Sequence, residues 1–208
     1  VADGIRRVAA FDFDGTITQR DTLAGFLSHV GGPRALTASM AAEANGLARG
    51  LRDDAERDAA KERVLGRVLA GRTEEEVTAA GLSYAKLLPR RFRVDIAEKI
   101  RWHQRQSHEL VIVSASLVYY LRPVAAELGF HDVLGVEMEV GPDGRLTGKL
   151  AGANVRAAEK ERRLRAWLGT DHDGGLELWA YGNSSGDDHL LAMAHHPTWV
   201  GKRAKRNA

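Results

Sequence analysis

Two carboxylates one residue apart, Asp12 and Asp14, end the apolar run that opens VAAFDFDGTIT (8–18), and an apolar strand has no structural need of them. Residues i and i+2 of an extended chain point the same way. Carboxylates paired in that manner suit a divalent cation or an acid–base couple. Gly15 permits a tight turn and close backbone approach to a ligand. Thr16 adds a hydroxyl and an N–H that would suit an oxyanion or a phosphate. The plainer alternative is that the two Asp side chains cap the turn or helix that follows. Two further apolar runs also end in polar groups. ELVIVSAS (109–116) closes on Ser114, Ala115 and Ser116, and GLELWAYGNSSGDD (175–188) closes on Asn183, Asp187 and Asp188.

These groups need elements to position them. The three apolar runs are short and nearly continuous, as expected of central parallel strands. Helices alternate with them. DAAKERVLGRVLAG (58–71), TEEEVTAAGLSYAKLL (73–88) and VDIAEKIRWHQRQSH (94–108) read as helical, with Thr73 and Glu76 forming a capping box and Gly71 and Gly81 as punctuation. LVYYLRPVAAELGF (117–130) reads as a helix with Pro123 near a kink or boundary. NVRAAEKERRLRAWLG (154–169) reads as a helix capped by Asn154 and closed by Gly169. VLGVEMEVGPDGRLTGKLAG (133–152) reads as a strand pair around the PDG turn, and PTWVG (197–201) as a last short strand. Strand–helix alternation predicts an α/β fold, a Rossmann-like parallel sheet flanked by helices. In such sheets ligands bind at the carboxyl ends of the strands, where the polar groups converge.

Composition narrows the chemistry. The chain has 208 residues and a net charge of only +2, so a nucleic-acid surface is not expected. The basic segment GKRAKRNA (201–208) reads as a solvated tail. There is no cysteine, which excludes disulfides, thiolate nucleophiles and thiolate metal sites, and fits a reducing, cytoplasmic setting. No apolar run is long enough to span a bilayer, and VADGIRR lacks the apolar segment of a secretory signal. His103, His108, His131, His172, His189, His195 and His196 show no zinc-ligand spacing.

FDFDGTIT resembles the first motif of the haloacid dehalogenase superfamily, D-x-D-G-[TV]. The resemblance continues in order: VIVSAS is similar to the second motif, Lys160 stands where the third motif has its lysine, and YGNSSGDD is similar to the fourth. The match is nearest the phosphoserine-phosphatase-like branch (subfamily IB), through VSAS, DGRLTG and EKERRLRAWL. The resemblance implies a core of residues 1–20 and 106–208 and an inserted helical C1-type cap over 21–105. It implies a Mg²⁺-dependent phosphatase acting through an aspartyl-phosphate. Asp12 would be the nucleophile and Asp14 the proton shuttle. Ser114 and Lys160 would hold the phosphate, with Gly15, Thr16 and Ala115 lining its site. Asp12, Asp14, Asn183 and Asp187 would form the metal site, Asp187 through a coordinated water or by orienting Lys160. Asn183 departs from the family pattern, because an acidic residue usually stands there, so weaker metal binding is expected. Asp188 is either a surface residue or a support to the metal site.

The implied substrate is a small phosphorylated metabolite. Ala115 and Ser116 stand where the serine-phosphate enzymes have glycines, which counts against phosphoserine. A phospholipid head group stays open. Lys61, Arg63 and Arg67 are the cap cations that could meet the substrate, and one of Tyr119 and Tyr120 could line the cleft. Two other readings stand beside hydrolysis: phosphotransfer to an acceptor other than water, and a non-catalytic phosphate-binding module.

Overall fold

The computed structural model describes residues 4–170 and 175–201. Strand β1 (Arg6–Phe11) is the middle of a five-stranded sheet, and its Val8, Ala9, Ala10 and Phe11 are fully buried. A strand covered on both faces must be apolar throughout, which explains the continuous run. On one side β1 pairs with β2 (Glu109–Leu117) and then β3 (Asp132–Val136). On the other it pairs with β6 (Leu176–Gly182) and then β7 (His196–Trp199), and every pair is parallel. The α/β reading of the sequence therefore holds. Connections diverge to either side of β1, so its carboxyl end opens into a crevice.

Between β1 and β2 the chain builds six helices: α1 (Leu23–Gly31), α2 (Pro33–Ala42), α3 (Ala44–Arg49), α4 (Asp54–Leu69), α5 (Glu74–Ala85) and α6 (Val94–Arg105). Helix α4 starts at the Asp53 cap, whose carboxylate accepts from the N–H groups of Ala55 and Glu56. The Thr73–Glu76 capping box opens α5 as expected. Helix α6 packs against β2. The two stems of the excursion lie side by side, because Gln19 N–H donates to Arg91 O at 2.8 Å and Arg93 N–H to Ile17 O at 2.9 Å.

Beyond β2 follow α7 (Val118–Glu127), the hairpin β4 (Met138–Val140) and β5 (Leu146–Leu150), α8 (Ala158–Leu168) and α9 (Asp188–Ala192). Several expectations change here. The segment 133–152 is more than a strand pair: its first part joins the main sheet as β3, and only β4 and β5 form the hairpin around the PDG turn. Pro123 lies inside α7 and does not bound it. Gly81 is not punctuation. It sits within α5, where a Cβ would come 2.1 Å from the carbonyl oxygen of Tyr119. Asn154 does not cap α8, which begins at Ala158 after Ala157 (φ +49°). Gly169 closes α8 with φ +73°, as its type requires. The basic tail (202–208) lies outside the described residues, as does His172.

One apolar cluster runs through the whole molecule, joining Phe11 and Val113 of the sheet to Phe26, Leu65 and Val77 of the inserted helices. Among the described residues no helix is long and apolar enough to cross a membrane.

Candidate active site

The carboxyl ends of β1, β2 and β6 and the start of α8 meet in a cleft of about 230 Å³. Asp12, Asp14, Ser114, Ala115, Lys160 and Asp187 all line it. Lys160 Nζ donates to Asp12 Oδ1 at 2.6 Å and to Asp187 Oδ1 at 2.5 Å, and all three residues are almost wholly buried. One ammonium therefore serves two carboxylates. Burial pushes the Asp12 carboxyl up, to about 7, against the pull of Lys160, and the nearby Asp187 carboxylate adds to that push. Burial also acts on Asp187, but Lys160 and the Ser184 donors outweigh it and hold that carboxyl below its ordinary value. For Lys160 burial lowers and the two carboxylates raise, with a net rise, so the ammonium stays charged.

Asp187 is fully engaged by protein. Its second oxygen accepts from the N–H groups of Asn183 (3.0 Å) and Ser184 (2.9 Å) and from the Ser184 hydroxyl (2.9 Å). Asp14 is held from the opposite side. Its Oδ1 accepts from the Thr22 N–H at 2.7 Å and the Thr22 hydroxyl at 2.6 Å, and its Oδ2 accepts from the Ser116 hydroxyl. Burial dominates those donors and raises the Asp14 carboxyl above its usual range. Tyr120 braces this arrangement, since its hydroxyl meets Thr22 Oγ1 at 3.1 Å. Neither Tyr120 nor Tyr119 lines the cleft, and both are buried.

Gly15 and Thr16 stand behind the cleft and do not line it. The Thr16 hydroxyl donates to Asp12 Oδ2 at 3.1 Å. Gly15, at φ +79°, packs so close to Asn183 that a Cβ would come 2.1 Å from its amide nitrogen. The other tip of that amide lies 3.3 Å from Asp12 Oδ2, 3.2 Å from the Asp14 carbonyl and 3.3 Å from Thr16 Oγ1. Three oxygens around one amide tip are satisfied in two ways. Either the NH₂ turns inward and donates, or the amide oxygen turns inward and a cation shares the cluster. Octahedral Mg²⁺ holds oxygens at about 2.0–2.1 Å, which places neighbouring ligands about 2.9 Å apart. The inward tip of Asn183 stands 3.3 Å from Asp12 Oδ2 and 3.2 Å from the Asp14 carbonyl, near that spacing, so with its oxygen turned inward the residues present fit the cation. Among the described residues no group of three or more His, Cys, Asp or Glu forms an alternative metal cluster. His103 and His108 meet at 2.8 Å between their Nδ1 atoms, and His103 also meets the Tyr181 hydroxyl at 2.9 Å. Asp188 is half-buried at the start of α9 and does not line the cleft.

Other polar residues complete the cleft: Asp21, Arg57, Asp58, Asn154 and Arg156. They come from loops and the α4 surface, where no strand-end pattern marks them. Lys61 does reach the cleft. Its amine donates to the Ala115 carbonyl and, at 2.5 Å, to Asn154 Oδ1, and burial lowers it to about 8. Arg63 and Arg67 do not reach it. They pair with Glu43 at 2.6 and 2.9 Å on another face of α4. Arg156, on the loop before α8, pairs with Asp54 at the start of α4 at 2.8 Å.

A family model described as haloacid dehalogenase-like hydrolase matches residues 9–192. The chain belongs to that family. The hydrolase is 33% identical over 195 residues to Protein CicA of Caulobacter vibrioides, covering 90% of this chain and 82% of the relative. A solved structure of a Bordetella pertussis Tohama I protein with unknown function is similar at TM-score 0.75 and 25% identity, over 90% of this chain and 86% of that one. A phosphoserine phosphohydrolase-like protein of Francisella tularensis shares the fold at TM-score 0.63 and 18% identity, over 94% and 86% of the two chains. These likenesses bear out the family read from the motifs and the phosphoserine-phosphatase-like architecture.

Proposed function

We propose that this hydrolase cleaves a small phosphomonoester through an aspartyl-phosphate on Asp12, with Mg²⁺ as its cofactor. One observation carries the reading. A buried Asp12 carboxylate, a buried ammonium and a second carboxyl that burial holds above its usual range line a single cleft. Family membership supports it.

Asp12 attacks the phosphorus, and the bond to the leaving oxygen breaks. Asp14 gives its proton to that oxygen. Water then attacks the aspartyl-phosphate, Asp14 takes a proton from it, and inorganic phosphate leaves with Asp12 restored. The raised Asp14 carboxyl suits both turns of that cycle. The Ser116 hydroxyl donates to the ionised form and, rotated, accepts from the protonated one. Ser114 and Lys160 bind the transferring group, and Asp187 aims Lys160. Asp12, the Asp14 carbonyl and Asn183 would hold Mg²⁺, which neutralises charge between the attacking carboxylate and the phosphate. Asn183 supplies a neutral oxygen where a carboxylate would add charge, so binding of the cation is weaker than a second charged ligand beside Asp12 would allow. The helical segment expected over 21–105 acts as the cap with its stems at the Thr18–Phe92 bridge, and its last helix, α6, rests on β2 of the core. Phosphoserine is disfavoured, since Ala115 lines the cleft where the serine-phosphate enzymes have a glycine and Ser116 is bonded to Asp14.

Phosphate release from a panel of phosphomonoesters, with Mg²⁺ and with excess chelator, tests the reading. Asp12→Asn abolishes release, while Asn183→Asp lowers the Mg²⁺ concentration needed for half-maximal rate. An Asp12→Asn enzyme of near-normal rate rules out the mechanism. Release in proportion to an added alcohol acceptor would favour phosphotransfer.

A further inference from the structure

A second hollow, about 270 Å³, lies inside the inserted helices and shares Asp21, Leu23 and Lys61 with the catalytic cleft. Its remaining wall is apolar: Leu27 of α1, Leu36 and Met40 of α2, Leu47 of α3, and Val64 and Leu65 of α4 among them. Met40 is exposed and Leu36 and Leu47 are half-buried, so the hollow opens to solvent and leaves its apolar wall in contact with water.

The walls are fixed by contacts at their edges. The end of α1 meets α4 where a Cβ on Gly31 would come 2.7 Å from Val68. The corner between α2 and α3 is tied to α4 by the Glu43 carboxylate, which takes Arg63 and Arg67. Charge at the rim and a tight crossing at one end thus hold the helices in place. The apolar side chains between them do not close the gap. At the shared waist, Lys61 is drawn aside onto Ala115 and Asn154.

We propose that this hollow receives the apolar part of the substrate's leaving group. The preferred substrate is then a water-soluble phosphate monoester of an alcohol bearing a hydrocarbon chain or ring several carbons long. The inference rests on the phosphate being seated at Asp12, because the shared residues make the hollow an extension of that cleft. It goes further in naming the chemistry of the group that departs.

The test is a calorimetric titration with n-alkylphosphonates from methyl to octyl. Their P–C bond gives the enzyme no leaving group. Phosphate release from the matching alkyl phosphates is measured in parallel. Each methylene that enters the hollow should tighten binding about fourfold until the hollow is full. Leu36→Trp, or Met40→Trp at a more exposed position, should flatten the series for the longer chains. Dissociation constants independent of chain length overturn the inference and leave hydrolysis standing. Binding that tightens with length but is accompanied by no turnover sustains the hollow and overturns the phosphatase reading. No binding by any member overturns the inference as well. So does a dimer dispersed by Met40→Glu, because a second copy would then be the occupant.

Discussion

Replacing Lys160 with Met keeps the length of the side chain and removes its charge. Asp12 and Asp187, 6% and 1% exposed, are then left facing each other without the ammonium that sat 2.6 and 2.5 Å from their oxygens. Breaking a buried ion pair by removing one partner costs about 3–5 kcal/mol. For a chain of this size each kcal/mol lowers Tm by roughly 2–4 °C, so the expected fall at pH 8 is roughly 6–20 °C. The sign of the pH dependence follows from linkage. In the variant both carboxyls are raised above their unfolded value, so the fold gains as pH falls and they take up protons. In the wild type, Asp12 already titrates at about 7, so its bond to Lys160 contributes most above that pH. The stability deficit should be full at pH 8 and at most half as large at pH 5.5. Urea unfolding of both proteins at the two pH values, with chelator present, measures it. Equal deficits at both pH values would refute the shared-ammonium account.

Gly81→Ala should cost about 2 kcal/mol or more, because its methyl overlaps Tyr119 backbone that cannot retreat; an unchanged Tm would show that α5 and α7 can part there. His103, fully buried and bonded to His108 and Tyr181, is depressed to about 4 by burial first and by His108 second. Its contribution is complete above the ordinary value of 6.5 and is lost as pH falls toward 4. About 1–2 kcal/mol is the expected loss across that window. A His103→Asn enzyme with the same pH slope as wild type would assign that loss elsewhere.

What could be read from the residues depended on whether position along a strand or helix constrained them. Asp12, Ser114 and Asp187 were legible because a parallel sheet sends its strand ends to one edge. Lys160 needed the family resemblance, since its helix carries several basic residues of similar pattern. The cap cations show a signal left unused. At 100° per residue Lys61 lies about 200° from Arg63 and 240° from Arg67, whereas Arg63 and Arg67 share a face. Only one of the two sets can look into the cleft, and it is Lys61 that does. Ser116 was visible as a departure from glycine, yet its bond to Asp14 depends on strands brought together across a separation of 102 residues. Asn154 looked like a helix cap because its type and position suited one. In the fold its amide bridges Lys61 and Asp58, a partnership that no local pattern encodes.

The apolar cluster that runs from the sheet into the inserted helices also bears on modularity. An insert between two strands invites treatment as a cassette, to be swapped between relatives in order to change specificity. Here α5 crosses α7 with no room for a methyl at Gly81, and α4 crosses β5 with a Cβ on Gly66 only 2.6 Å from the Gly148 carbonyl. Both crossings join the insert to segments on the far side of β2. A transplanted insert would need its own matching glycines, its own α7 and its own hairpin. Changes of specificity are therefore better made by single substitutions within the hollow than by exchange of the whole helical segment.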